Sequence, residues 1–418
     1  MTAEPAQTPT GRRRAALIFI FLTVVFDMLA LGIIIPVLPK LVEQFVGGDI
    51  AQAATIVGYM GTLWAVMQFF VSPVQGALSD RFGRRPVVLA SNFGLGFDYI
   101  LMALAPNLSF LFAGRVISGI TAASFSTAGA YIADVTPPEK RAGAFGMLGA
   151  AFGIGFVLGP ALGGLLGHSD PRLPFWVAAG LSLANGLYGL LILPESLPRE
   201  RRAPFSWKRA NPVGSLNLLR RQPALLGLAA ITFLYYLAHQ SLPSVFVLYA
   251  DYRYHWDQRM VGLTLAGVGI CSMIVQGGLV RPIVAKLGER RTLILGLCAG
   301  AIGFAIYGLA PTGETFWIGL PIMALWGLAS PAAQGIMTRK VSPTEQGQLQ
   351  GAIGSIMGIT GILGPGLFTQ TFAAFIGPAA DLHLPGAPYL LAAVLLGLAT
   401  LVGWRVAEAP KPAVIAAQ

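Results

Sequence analysis

Apolar stretches of about twenty residues recur along almost the whole chain, each separated from the next by a short polar segment. A bilayer core about 30 Å thick needs roughly 20 apolar residues of helix to cross it. The pattern predicts spans at residues 15–39, 54–78, 86–105, 108–133, 141–167 and 173–194. A polar stretch, 195–222, follows, and then six further spans at 223–249, 259–283, 291–310, 315–338, 345–376 and 386–406. Backbone groups in lipid must be bonded within the protein, which leaves helices or closed barrels. The runs are too long and too evenly apolar for the alternation of a barrel strand. The expected fold class is therefore all-α, a polytopic membrane protein of twelve transmembrane helices.

Composition agrees with this pattern. Hydrophobic residues make up 55% of 418 positions and charged residues 11%, against roughly 25% charged in soluble domains. The 52 glycines suit membrane helices that pack closely. A net charge of +10 raises the question of nucleic acid, but the cations sort by side. With the N-terminus inside, 23 of the 28 Lys and Arg fall on cytoplasmic segments. Lys40, Arg172, Arg253 and Arg259 lie outside, and Arg115 lies within a span. That asymmetry predicts a multi-pass protein of the inner membrane with both termini cytoplasmic and no nucleic-acid partner. The expected organisation is a tail at 1–14, a six-helix bundle at 15–194, a solvated linker at 195–222, a second bundle at 223–406 and a tail at 407–418. The first apolar run lacks a convincing cleavage site and is expected to stay. Cys271 and Cys298 both lie in spans, so neither a disulfide framework nor a metal site is expected.

Sliding the chain against itself by 205 positions aligns Arg81 with Lys286, Gly83 with Gly288, Arg85 with Arg290 and Pro138 with Pro343. The same offset aligns Gly146, Gly149, Gly159 and Pro160 with Gly351, Gly354, Gly364 and Pro365. A constant register over that length predicts duplication. Six helices return the chain to its starting side, so the repeats are parallel, with the transport site expected at their interface.

Among the 28 Lys and Arg and the 18 Asp and Glu, only Asp27, Asp98 and Arg115 lie well inside a span. At about 1.5 Å per residue all three reach a similar depth. A charge in hydrocarbon is costly, so such residues face a cavity or a partner. They form either an ion-pair cluster locking helices one, three and four, or a proton-coupling site in which Arg115 governs the protonation of an Asp. Asp27 is the leading carrier. At the offset the three meet Thr232, Gly303 and Leu320, so coupling is expected in the first half alone. His239, beside Gln240, is the one histidine well within a span, serving packing or proton and substrate contact. His168, His255 and His383 are expected in loops. Gln68, Asn92, Asn185, Gln276 and Gln334 are candidate cavity-lining groups, with Phe69, Tyr235, Tyr236 and Trp326 among the candidate aromatic surfaces.

One loop carries more order than positive charge requires. Gly76-Ala77-Leu78-Ser79-Asp80-Arg81-Phe82-Gly83-Arg84-Arg85 joins helices two and three. Gly76 permits close approach, Gly83 a tight turn, and Asp80 among Arg81, Arg84 and Arg85 offers charge-assisted bonds to helix ends. This order resembles the signature of the major facilitator superfamily. Arg115 with Gly119 resembles its fourth-helix motif. Gly146, Gly155, Gly159, Pro160, Gly163 and Gly164 resemble the fifth-helix motif of its drug-exporting antiporters, where a proline and a smooth glycine seam let a helix bend and slide. Phe26-Asp27, Pro36-Val37-Leu38-Pro39, Met67-Gln68-Phe69, Asp98-Tyr99 and Gly129-Ala130-Tyr131-Ile132-Ala133-Asp134 are similar to the tetracycline efflux branch, as are Leu287-Gly288-Glu289-Arg290-Arg291 and Gln346-Gly347-Gln348-Leu349-Gln350-Gly351.

The resemblance implies a monomeric secondary transporter without cofactor, exporting a small amphipathic drug, tetracycline-like or multidrug, by alternating access. Protons moving down their gradient would supply the energy. By the resemblance Asp27, Gln68, Asp80, Asp98 and Arg115 inherit functional roles, with proton coupling expected at Asp27, Asp98 and Arg115; substrate contact is expected at Gln68 and, from their place in the spans, at Phe69, Tyr236, His239, Gln240, Gln276 and Gln334. Conformational gating falls to Gly76, Asp80, Arg81, Gly83, Arg84, Arg85, Gly155, Gly159 and Pro160. Two positions depart from the branch: Ser272 stands where a helix-eight histidine is usual, and Gly300 where a helix-nine acid is usual. A sugar or metabolite transporter, including a symporter, is the first alternative. A membrane receptor or scaffold without transport is the second. No Walker-type loop or nucleophile–base arrangement suggests an enzyme.

Overall fold

The computed structural model describes residues 10–406 except 123, 138–140, 208–210, 222 and 343–344. Tail residues 1–9 and 407–418 lie outside the described residues, as do Pro138, Pro343, Lys140, Lys208, Arg209 and Lys411. Every regular element among the described residues is helical. In chain order these are α1 (Thr10–Ile34), α2 (Leu38–Phe45), α3 (Ile50–Phe82), α4 (Arg84–Ala103), α5 (Leu108–Thr121), α6 (Ser124–Val135), α7 (Arg141–Ser169) and α8 (Leu173–Ile192). A short α9 (Asn217–Arg221) precedes α10 (Pro223–His239), α11 (Ser241–Tyr254), α12 (Gln258–Ile274), α13 (Val280–Leu309), α14 (Gly313–Ala324), α15 (Ala329–Thr338), α16 (Gln346–Ile376) and α17 (Ala387–Val406).

Ten described helical stretches are long and apolar enough to cross a membrane. One of them, Gln258–Leu309, has 52 residues, about 78 Å of helix and too long for a single crossing. Gly288 breaks it at φ 74°, ψ 163°. The apolar α5 is short by itself and meets α6 at a break around Ala122. Splitting the first stretch and joining the second pair is consistent with the twelve crossings read from the sequence.

Several predicted spans are interrupted. The first stops at Ile34 because Pro36 has no N–H to continue the ladder, and α2 restarts with Pro39 in its first turn. The span at 223–249 divides at Gln240. The tenth predicted span, 315–338, is broken by a 3₁₀ turn at Leu325–Leu328, and a π-helical stretch, Val275–Leu279, interrupts the eighth, 259–283.

The repeat is visible in these local features. Gly83 and Gly288 both take positive φ, 108° and 74°, where a Cβ would be strained. Asn107 caps α5 by accepting from Phe110 N at 3.3 Å, and Thr312 caps α14 by accepting from Thr315 N at 3.4 Å. Pro160 lies inside α7 and Pro365 inside α16. The breaks at Ala122 and at Leu325–Leu328 fall at the same repeat position. Each pair is separated by the offset of 205, or within it for the last.

The packing divides into two units. One takes the described residues up to Asp49, with Leu63–Asn211 and Trp256–Ala266. Here α1 packs on α7 and α8, and α4 on α5, α6 and α8, around a core that includes Phe19, Ile20, Val24, Tyr131, Ile132 and Leu148. The contact of α1 with α7 is backbone to backbone: a Cβ on Gly32 would lie 2.9 Å from both Gly155 O and Gly159 Cα. The Trp256–Ala266 segment joins α7, where Gly262 packs on Gly164. His168, expected in a loop, ends α7 and pairs with Asp257 at 3.2 Å. Arg172 donates to Ala103 O at 2.8 Å and Ala105 O at 2.9 Å, placing a cation at the negative end of α4.

The other unit takes Ile50–Thr62, Pro212–His255 and the described residues from Gly267 onward. Its helices α10, α13, α15, α16 and α17 pack around large aromatics. Tyr307 stacks on Phe316 with centroids 4.0 Å apart, and Tyr249 donates to Tyr307 O at 2.9 Å. The Ile50–Thr62 segment lies on α16, where Thr62 donates to Ile362 O at 3.1 Å.

Candidate functional site

The three intramembrane charges lie in the first unit, each with its own environment. Asp27 on α1 is 5% exposed. Asn185 of α8, fully buried, donates through Nδ2 to Asp27 Oδ1 at 3.0 Å and to Thr23 O at 3.0 Å. The same amide thus fixes the carboxylate and the backbone one helical turn before it.

Asp98 on α4 is fully buried, and Arg115 Nη2 on α5 lies 4.0 Å from its Oδ2. Neither carboxylate oxygen has a hydrogen-bond partner among the described residues. The guanidinium instead reaches Met102 Sδ at 3.2 Å. This is an ion pair at the edge of contact, without the hydrogen bonds that strengthen a closed pair. Gly114 makes room for it: a Cβ there would lie 2.7 Å from both Asp98 Oδ1 and Met102 Cγ. Tyr99, beside Asp98 on α4, is 2% exposed.

Sequence reasoning named Asn185 only as a cavity-lining group and did not single out Gly114. A buried Asn facing an intramembrane Asp leaves no periodic signal, since the partner sits on a helix more than 150 positions away.

Gln68 donates to Ala122 O at 3.1 Å. Ser91 donates to Thr121 O and Gln75 to Ile120 O. Three carbonyls at the break between α5 and α6 are therefore met by side chains, as a broken helix in lipid requires. Phe69 packs edge-on against Phe70 at 5.3 Å.

The remaining candidates lie in the second unit. Trp326, in the 3₁₀ turn of the tenth predicted span, sits 4.6 Å from the Tyr235 ring and 5.6 Å from the exposed His239 ring, and Tyr236 packs on Tyr235 at 5.2 Å. Beside this cluster is a small cavity of about 10 Å³, room for about one water, whose lining includes Thr232, Tyr235, Tyr236, Ser330 and Gln334. Gln334 donates to Ser330 Oγ at 3.4 Å. Gln276 is exposed in the π-helical stretch, its Cγ 3.5 Å from where a Cβ on Gly327 would stand. Gln240, at the break between α10 and α11, packs on Gly364. The position of the family's helix-nine acid is filled: a Cβ on Gly300 would lie 2.6 Å from Trp326 Cδ1 and 2.7 Å from Leu396 Cδ1.

The loop between α3 and α4 closes into a charged network. Arg84 donates to Asp80 Oδ1 at 2.6 Å, Ser79 Oγ at 2.9 Å and Asp134 Oδ2 at 3.0 Å. Glu195 accepts from Arg84 N at 2.8 Å and Arg85 N at 3.3 Å, so its carboxylate caps the start of α4. Ala203 N donates to Asp80 O at 3.1 Å. Residues 195–203, expected to be solvated linker, are thus tied to this loop. Arg85 donates to Leu190 O at 2.6 Å, and Arg81 lies over the Phe82 ring. Gly76 has no atom within 4 Å of its Cβ position, so the close approach expected there is not made. Gly155, Gly159 and Pro160 sit in the seam between α7 and α1.

The sequence model of the Major Facilitator Superfamily matches residues 20–365. The chain belongs to the major facilitator superfamily. It is 41% identical over 362 residues to the class C tetracycline resistance protein of Escherichia coli, covering 86% of this chain and 90% of that protein. It is 38% identical over 367 residues to the class G protein of Vibrio anguillarum, covering 87% and 92%. The crystal structure of the human organic anion transporter MFSD10 (TETRAN) shares the fold, with a TM-score of 0.70 and 24% identity, covering 95% of this chain and all of that one. Membership explains why the charged loop, the glycine seam and the intramembrane charges occur together in one major facilitator chain.

Proposed function

We propose that this chain exports a small amphipathic drug of the tetracycline kind in exchange for protons, by alternating access across the inner membrane, as a monomer with both termini in the cytoplasm. The observation that carries the proton part is the Asp98–Arg115 pair. A fully buried carboxylate 4.0 Å from a guanidinium, with no hydrogen bond to either oxygen among the described residues, is poorly compensated. A proton arriving at Asp98 removes the charge that Arg115 balances, and its departure restores it. The two states differ in local electrostatics, which is what a transporter needs to couple a proton to a shape change.

Asp27 serves as a second carboxylate, positioned by Asn185. One proton entering along 100 mV supplies about 2.3 kcal/mol, enough to oppose a modest drug gradient. Gln68 and Phe69 from the first unit, and Tyr236, His239, Gln240, Gln276 and Gln334 from the second, contact the drug. The aromatic cluster around Tyr235 and Tyr236 supports this reading because it offers flat apolar faces beside hydroxyl and amide groups. The network about Arg84 and the α1–α7 seam serve conformational change.

Resistance profiling tests the substrate. An exporter-deficient host carrying the chain should grow in raised concentrations of tetracyclines and accumulate less drug. Unchanged growth and accumulation with all tetracyclines, alongside normal membrane expression, would refute the substrate assignment.

A further inference from the structure

An open cavity of about 280 Å³ lies between the start of the second part of α13 and the end of α17, lined by Arg290, Arg291, Ile294 and Trp404. It belongs to none of the sites above. Arg290 donates to Trp404 O at 2.8 Å, which spends one of its five donors. Arg291 is exposed, and no described residue accepts from it. Trp404 is 61% exposed, half a turn from the end of α17.

The repeat shows what this place lacks. In the first unit the corresponding turn, just after Gly83, is closed by a carboxylate from the chain itself: Glu195 accepts from Arg84 N and Arg85 N and approaches Arg202 at 3.8 Å. In the second unit no acidic side chain among the described residues accepts from the turn at Glu289 and Arg290. The nearby acid, Glu289, is held by Arg339, just after the end of α15. Two arginines thus face a cavity without the anion that the related turn possesses.

The surface beyond the cavity is apolar. On α13, Leu295 and Ile302 are 40% and 55% exposed, four and eleven residues after Arg291 and on its side of the helix. On α17, Leu401 and Val394 are 61% and 59% exposed, three and ten residues before Trp404. A free phosphate has no use for these stripes, whereas acyl chains do. Tryptophan and arginine at the ends of exposed apolar stripes have the arrangement expected at a bilayer interface.

We propose that Arg290, Arg291 and Trp404 form a binding site for the phosphate of an anionic phospholipid, with its acyl chains lying along the exposed stripes of α13 and α17. The lipid supplies in trans the negative charge that Glu195 supplies in cis to the first unit. The site is independent of the drug and proton assignments.

Native mass spectrometry of the full-length chain in detergent, titrated with phosphatidylglycerol, phosphatidylethanolamine or inorganic phosphate, tests this. Wild type should retain one phosphatidylglycerol at least about tenfold more tightly than phosphatidylethanolamine, because each interfacial arginine favours anionic lipid. Millimolar inorganic phosphate should not displace it. The double variant Arg290→Gln, Arg291→Gln should lose that molecule, and Arg291→Glu, altering an exposed side chain, should lose it while melting normally in lipid-free detergent. Equal retention of both lipids by wild type, or an undiminished phosphatidylglycerol adduct in Arg291→Glu, would overturn the proposal. So would displacement by phosphate, which would make the occupant a free anion. A several-fold rise in lipid binding on Glu408→Gln would also overturn it, by assigning the cavity to the chain's own tail.

Discussion

Asn185 carries the most specific prediction at the scale of single residues. Its amide is the donor to Asp27 Oδ1, and both groups are buried. Asn185→Ala leaves a buried acceptor without that donor, a loss of about 1–3 kcal/mol, and drug–proton exchange should fall more than the melting temperature accounts for. Asn185→Ser, too short to reach both acceptors, should lie between, and wild-type exchange in Asn185→Ala would show that Asp27 needs no positioning. Gly300 gives a second prediction. Gly300→Asp introduces a Cβ against Trp326 and a buried charge, so it should destabilise by at least about 1–3 kcal/mol. In a double-mutant cycle, measured by thermal melting, Gly300→Asp should cost less in a Trp326→Ala background than beside the indole; the same cost in both backgrounds would mean that the indole is not what excludes the acid. The intramembrane charges themselves were legible in the sequence, because lipid makes any charge within a span conspicuous. Their partners were not: Asn185 is one of several polar residues in spans, and only the packing of α8 on α1 selects it. Tyr99 and Gly114 were invisible as functional neighbours for the same reason.

At the scale of elements, helix boundaries came from hydropathy and helix interruptions did not. The spans at 173–194 and 386–406 end within a few residues of α8 and α17. The breaks at Ala122 and Leu325–Leu328 fall inside stretches whose average hydropathy reads as a continuous span, so hydropathy passes over them. What permits the first is polar chemistry from neighbouring helices, Gln68, Ser91 and Gln75 meeting the freed carbonyls. The cap on α4 is likewise a distant partner, Glu195, in a segment that composition alone marks as solvated. Glu195→Ala should cost about 1–2 kcal/mol and lower the melting temperature, with Glu195→Gln losing less. Equal melting of all three proteins would show that the carboxylate is not a cap. The α1–α7 seam predicts a sharper effect: Gly32→Val places side-chain atoms where Gly159 Cα and Gly155 O now lie, and it should abolish exchange even in protein that reaches the membrane.

At the scale of the whole molecule, the duplication is the feature that sequence and structure describe in the same terms. An offset of 205 positions relates the glycines of two sharp turns, the caps of two helices and the prolines inside two others. Against that background the differences between the halves are informative. Among the described residues the buried acids and Arg115 belong to the first half, while the aromatic cluster about Trp326 belongs to the second. In the proposed mechanism labour is divided, protons handled by one half and much of the aromatic drug surface supplied by the other. Purified protein in liposomes loaded with a pH-sensitive dye measures this directly: an imposed tetracycline gradient should drive protons the opposite way in wild type, and should drive none in Asp98→Asn although drug still binds. Proton movement of wild-type size in Asp98→Asn, or tetracycline flux in wild type with no proton movement, would contradict the account.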